Sequence, residues 1–205
     1  MKIALSMRVT EAVGYVERRD SISHDWLKRL GEWDMMPCLV PNLLKDATSY
    51  IDAIAPDLLV LTGGDDLGAT PDRDRTETEL FNIALARGLP VLGICRGLQF
   101  INQYFGGSTV EIAGHVACSH RVDFAQCWQP QYGNEDIVNS YHNLAIAPDG
   151  LGAALETTAT DTDGFVEGAW HDELPVAGIM WHPERPSALS GDRALFEGLI
   201  ARGAR

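Results

Sequence analysis

Short apolar runs alternate with stretches of helical period through the first half of the chain. Ile3–Met7, Pro37–Val40, Leu58–Thr62 and Val91–Cys95 are runs of four or five residues, the length of a buried strand. Between them the apolar positions change spacing. Ser23–Trp33 places Trp26, Leu27, Leu30 and Trp33 on one helical face, and Asp46–Ile54 reads as a second helix. Thr76–Arg87 carries Leu80, Ile83, Ala84 and Arg87 at helical spacing, with Thr76 and Glu79 as a capping box and Gly88 as the stop. Leu98–Phe105 is a further helix, ended by Gly106-Gly107. This β-α-β-α rhythm predicts a parallel sheet covered by helices on both faces. In such sheets ligands sit beyond the carboxyl ends of the strands.

From Thr109 the rhythm becomes strand-rich. Val122–Ala125, Ile137–Val138, Ala153–Thr158 and Val166–Trp170 read as strands; His171-Asp172-Glu173 then turns the chain into Val176–Trp181. Gly191–Ala201 reads as a terminal helix. No repeat, low-complexity tract or linker interrupts the pattern. The expectation is one α/β domain over residues 1–205.

Composition narrows the partners more than the fold. Of 205 residues 45% are hydrophobic and 22% charged, as in ordinary globular α/β proteins. The formal net charge of −13 argues against nucleic acid or an anionic membrane surface as a partner. Met1–Met7 is too short an apolar run for an export signal, and Arg8 ends it. No stretch approaches the ~18 apolar residues of a membrane span. The four cysteines (Cys38, Cys95, Cys118, Cys127) form no C-x-x-C pair and are expected as reduced thiols in a cytoplasm.

One of them stands apart. In Gly93-Ile94-Cys95-Arg96-Gly97 a thiol lies at the apex of a strand–turn–helix, between two glycines. A side chain beside the apex would clash with the closing backbone. The following helix directs its N-terminal amides and positive dipole end at the sulfur, which favours the nucleophilic thiolate. A base is found in Trp181-His182-Pro183-Glu184. Pro183 biases His182 toward extended geometry, where residues two apart face the same side. His182 is then the base, and Glu184 the carboxylate that orients it. A third strand ends in Thr62-Gly63-Gly64, whose backbone can approach a ligand closely. The amides of Gly64 and Arg96 are the expected oxyanion hole. His115-x-x-Cys118-x-His120 with Cys127 does not have the spacing of the common zinc patterns, so no metal is expected there. Asp72-Arg73-Asp74 lacks the glycine and final glutamate of a calcium loop and reads as a solvated loop.

These three motifs, in this order, resemble the class I glutamine amidotransferase superfamily with its Cys-His-Glu triad. The resemblance spans nearly the whole chain. Thr-Gly-Gly-Asp-Asp, Cys-Arg-Gly, Val138-Asn139-Ser140-Tyr141-His142 and Trp-His-Pro-Glu are most similar to its free-standing γ-glutamyl hydrolase branch, the peptidase C26 type. The resemblance implies a three-layer, flavodoxin-like fold with a mostly parallel central sheet. It implies cysteine-dependent hydrolysis of a γ-glutamyl amide, without metal or organic cofactor. It also places Gln99, one helical turn after the nucleophile, near the glutamyl group. Tyr141, Asn143 and Leu144 fall in the loop whose backbone clasps that group. In the family the segment holding His115, Cys118 and His120 runs past the active site, which implies packing or substrate contact there.

The leaving group stays open at this level. Ser6-Met7-Arg8-Val9, Tyr15–Asp20 and Ile179–Arg185 resemble small γ-glutamyl hydrolases of sugar and capsule pathways, some of which act on γ-glutamyl-CDP-amidate. A phosphorylated leaving group would call on arginines, with Arg8, Arg19, Arg121 and Arg185 as candidates beside an ordinary role as surface ion-pair partners. A cationic polyamine would suit Asp65, Asp66 and Glu17, although polyamine-type relatives usually carry Gln where this chain has Met180 and are longer. The alternative is a glutaminase subunit that passes ammonia to a synthase partner.

Overall fold

The computed structural model describes residues 1–187 and 189–203. Among the described residues the strands are β1 (Lys2–Ser6), β2 (Arg8–Glu11), β3 (Arg18–Ser21), β4 (Met36–Val40), β5 (Leu58–Leu61), β6 (Val91–Ile94), β7 (Val110–Glu111), β8 (Val116–Phe124), β9 (Glu135–Tyr141), β10 (Leu144–Ala145), β11 (Leu155–Asp161), β12 (Val166–His171) and β13 (Val176–Ile179). The helices are α1 (His24–Glu32), α2 (Ala47–Ile54), α3 (Pro71–Arg87), α4 (Arg96–Tyr104), α5 (Gln129–Tyr132) and α6 (Asp192–Gly203).

The central sheet has the order β4-β1-β5-β6-β13-β12-β11-β8-β9. From β4 to β13 neighbouring strands are parallel, and from β13 to β9 antiparallel. The strand-rich half thus extends the parallel half as one surface. Alternation along the buried strands sorts side chains to two faces. Leu58 and Val60 pack with Trp26, Leu30 and Phe196 of α1 and α6. Leu59 and Leu61 pack with Ile51, Leu80, Phe81 and Ile101 of α2, α3 and α4. This is the three-layer α/β architecture the alternation predicts.

Several local expectations are corrected. The α3 helix begins at Pro71, with Pro in the first turn, where its missing N–H costs nothing. Thr76 is therefore mid-helix and caps nothing; its hydroxyl donates back to the Asp72 carbonyl at 2.9 Å. Asp72-Arg73-Asp74 is not a solvated loop but the first turn, and Arg73 is wholly buried. Leu27 does not share the buried face of α1 and is exposed. The antiparallel strands are longer than their apolar centres, because paired polar residues continue the ladder: β8 starts at Val116 and β9 at Glu135. The β2/β3 hairpin, Arg-Val-Thr-Glu against Arg-Arg-Asp-Ser, carries no apolar pattern to announce it.

Candidate functional site

Three neighbouring strands deliver the predicted motifs to one edge. β6 pairs with β5 on one side and with β13 on the other, with Gly93 opposite Leu61 and Ile94 opposite Ile179. Parallel pairing in this register brings Thr62-Gly63, Cys95 and the segment entering His182 out at the same carboxyl ends. The Cys95 N–H donates to the Ile179 carbonyl at 2.7 Å, a direct link between the elbow and the strand that leads to His182.

Cys95 has φ 52° and ψ −104° and is the N-cap of α4. The flanking glycines serve close approach. A Cβ on Gly97 would run into the Leu61 carbonyl, and one on Gly93 into the Gly97 backbone. The first turn of α4 therefore lies directly on the ends of β5 and β6, which holds the thiol at a fixed apex.

His182 is held from three sides. Its Nδ1 lies 2.8 Å from Glu184 Oε1. Its backbone N–H donates to Asn139 Oδ1 at 2.9 Å, and its carbonyl accepts from Asn139 Nδ2 at 3.0 Å. Its ring passes over Gly63, where a Cβ would come within 2.8 Å of Cε1. Arg29 fixes the same turn, donating to the Pro183 and Arg185 carbonyls. Burial pushes the imidazole pKa down, but the neighbouring Cys95 sulfur and the Glu184 carboxylate outweigh it and raise the pKa to about 9. The ring is therefore an imidazolium at neutral pH.

Behind the thiol is a buried ion network that sequence reasoning missed. Glu77 is fully buried, bonded to Arg73, Arg96 and the Ser6 hydroxyl. Arg96 also pairs with Asp74. Arg73 donates to the carbonyls of Thr62 at 2.5 Å and Gly63 at 3.2 Å. One carboxylate thus ties the Thr62-Gly63-Gly64 turn to the elbow through two guanidiniums. Burial alone would raise the Glu77 carboxyl, yet Arg73 and Arg96 hold it below its ordinary value. The arginine periodicity of α3 gave no sign of this, because charged residues at helical spacing usually mark a solvated face.

A cavity of about 290 Å³ opens over Cys95. Gly64, Cys95, Tyr141, His182, Glu184 and Arg8 of the predicted residues line it, together with Asp65 and Arg185. The Arg185 guanidinium stacks 3.7 Å from the centre of the Tyr141 ring. Gln99 is buried away from this lining and donates to the Leu144 carbonyl at 3.2 Å. Asn143 and Leu144 do not line the cavity either; the Asn143 carbonyl accepts from Ile112 and Leu144 pairs with Glu111. Arg121 is a correction: its guanidinium is exposed and committed to Asp123 and Glu135 on the outer strands β8 and β9. Arg19 is likewise spent on Glu17 and Tyr15 in the exposed hairpin. Among the described residues no helix is long and apolar enough to cross a membrane.

The chain resembles known proteins over most of its length. The peptidase C26 family profile matches residues 3–184. The chain is 31% identical to the γ-glutamyl-CDP-amidate hydrolase of Campylobacter jejuni, over 96% of each chain. It is 28% identical to the carbamoyl phosphate synthase small chain of a Synechococcus species, covering 94% of this chain and 46% of that one. The crystal structure of a Thermoplasma acidophilum protein assigned to GMP synthase superposes with a TM-score of 0.75 at 25% identity, covering 100% of this chain and 94% of that one.

Proposed function

The chain belongs to the peptidase C26 family, an amide-bond hydrolase of the glutamine amidotransferase type, and on that footing we propose that it is a free-standing γ-glutamyl hydrolase with γ-glutamyl-CDP-amidate as its lead substrate. The Cys95 sulfur attacks the γ-glutamyl amide carbon as a thiolate, its proton already held on His182. The amides of Gly64 and Arg96 hold the oxyanion. The C–N bond breaks as the His182 imidazolium gives its proton to the leaving nitrogen. Glu184 keeps the ring oriented throughout. The γ-glutamyl thioester is then hydrolysed by water, with His182 as base, releasing glutamate.

The observation that carries the choice of leaving group is the wall of the cavity. Two arginines, Arg8 and Arg185, line the cavity that holds the thiol, in a chain of net charge −13. Arginine grips a phosphate through two N–H groups at once. Of the acids expected to favour a polyamine, Asp65 alone lines the cavity among the described residues. The likeness to the Campylobacter hydrolase over nearly the full length of both chains supports the same choice.

The deciding experiment is glutamate release by the purified protein from γ-glutamyl-CDP-amidate, γ-glutamyl-putrescine and L-glutamine, with Cys95→Ala as the blank. The expected result is rapid turnover of the nucleotide amidate, and a raised KM for it alone in Arg8→Ala and Arg185→Ala. The synthase-linked relatives favour a second reading, an ammonia-supplying glutaminase. Turnover of glutamine only, or only after a cell extract is added, selects that reading.

A further inference from the structure

Outside the cavity, the antiparallel half of the sheet gathers three histidines and a glutamate. His115 precedes β8, His120 lies on β8, His142 follows β9 and Glu167 lies on β12. One ligand atom from each lies within 4.8 Å of all the others. The three imidazole rings stand edge to face, with centroids 4.6 Å apart for His115–His120 and 5.1 Å for His115–His142. Cys118, which the sequence places among them, is not part of the group; its sulfur meets the Gly114 carbonyl.

Hydrogen bonding does not account for this cluster. Glu167 is 1% exposed, and neither of its carboxylate oxygens has a hydrogen-bond partner among the described residues. His120 Nε2 and His142 Nε2 approach them at 3.3 and 3.4 Å, and both nitrogens are also without a partner in hydrogen-bond geometry. His142 settles its own tautomer. Its Nδ1 lies 3.0 Å from the Leu144 carbonyl, which can only accept, so Nδ1 carries the proton. In a neutral ring Nε2 is then a lone pair aimed at a carboxylate. Two electron-rich atoms buried face to face repel unless a proton or a metal ion stands between them, and the contact lacks the geometry of a hydrogen bond through a proton.

The spacing fits such a cation. Tetrahedral zinc with bonds of about 2.0–2.1 Å holds its ligand atoms about 3.3 Å apart. The two glutamate–histidine separations, one to each carboxylate oxygen, already have that length. An Nδ1–H donated to a backbone carbonyl is the usual way a zinc-ligating histidine is oriented. His115 and His120 are partly exposed, which leaves an entry path.

We propose that His115, His120, His142 and Glu167 form a structural divalent-metal site whose ion is zinc. Four protein ligands close the coordination shell, so the ion is structural rather than catalytic. Its place suggests what it holds. His142 follows Tyr141 of the cavity wall, and the Leu144 carbonyl that receives the His142 proton also receives Gln99 Nε2. The ion pins the 141–144 segment from behind. The inference does not depend on the substrate.

The test is metal binding to the full chain, stripped with a chelator and titrated with zinc alone. The expected result is one zinc per chain by emission spectroscopy and a melting temperature that rises by several degrees. Cys95→Ala keeps that stoichiometry. His120→Ala and Glu167→Gln lower the affinity by about tenfold or more, which even an outer-shell change can cost. X-ray absorption on the wild type reads the site without any variant. A shell of nitrogen and oxygen at about 2.0 Å supports it; a sulfur at about 2.3 Å would place the ion on a thiol and overturn it. Failure to take up zinc also overturns it.

Discussion

Cys95 occupies backbone angles that cost an ordinary residue about 1–3 kcal/mol. The cost is borne because the apex aims the sulfur into the cavity while α4 begins immediately behind it. Glycine accepts such angles without a Cβ clash. Cys95→Gly should therefore melt above Cys95→Ala in a thermal scan, while both lose glutamate release by about 10³-fold or more. An equal or lower melting point for the glycine variant would show that the apex is unstrained. His182 gives a second residue-scale prediction. Its folded pKa of about 9 lies above the ordinary value of 6.5. The stability this contributes is fully present below about pH 6.5 and is lost as pH rises through about 9. The same proton is needed by the leaving group, so kcat/KM should fall above about pH 9. Denaturant titrations at pH 6.5 and 9.5 check the first statement and a pH–rate profile the second; in Glu184→Gln both limbs should move to lower pH. That Cys95, His182 and Glu184 meet was legible in the sequence because each motif follows an apolar strand of one expected parallel sheet, whose carboxyl ends share an edge. Arg73 and Glu77 were not, because burial of a charge depends on partners far away in sequence.

At the scale of elements, α3 is the instructive case. Its first turn reads as a loop in the sequence because Asp-Arg-Asp is polar, and polarity alone does not say which side chains meet a countercharge. The helix is anchored by Glu77, whose carboxylate pairs with two buried guanidiniums while Asp74 supplies a second negative charge to Arg96. Removing one partner of such a network leaves uncompensated buried charge, at a cost of about 3–5 kcal/mol. Glu77→Gln should thus lower the unfolding free energy in a urea titration by that amount and reduce kcat, since both arginines reach the turns that carry Gly63 and Cys95. Unchanged kcat in a destabilised variant would confine the network to stability. The elbow is the opposite case, where the sequence was a good guide. Gly97→Ala places a methyl against the Leu61 carbonyl, backbone that cannot shift aside. Loss of more than about 3 kcal/mol is expected, at the upper end of overpacking costs. The β2/β3 hairpin was invisible because its residues pair through backbone and face solvent, yet the fold uses it to carry Arg8 to the cavity wall.

At the scale of the molecule, the order of strands decides the chemistry. β13, near the end of the chain, inserts beside β6 and puts His182 next to Cys95 across 87 positions of sequence. The antiparallel strands that follow in the sheet bring Asn139 and Tyr141 back to the same edge. By itself the sequence determined the periodicities, and so the layered α/β fold, and the residue types at each turn, and so the thiol and its base. These are local properties: an apolar period of two or of 3.6 and a glycine at a tight turn act within a few residues. Tertiary structure decided which polar residues distant in the chain meet outside those motifs. It buried Arg73 and Arg96 on Glu77, turned Arg121 away to the sheet edge, and drew His115, His120, His142 and Glu167 together. The physical reason is that charge and coordination depend on distance in space. Strand register sets that distance, and no local pattern records it.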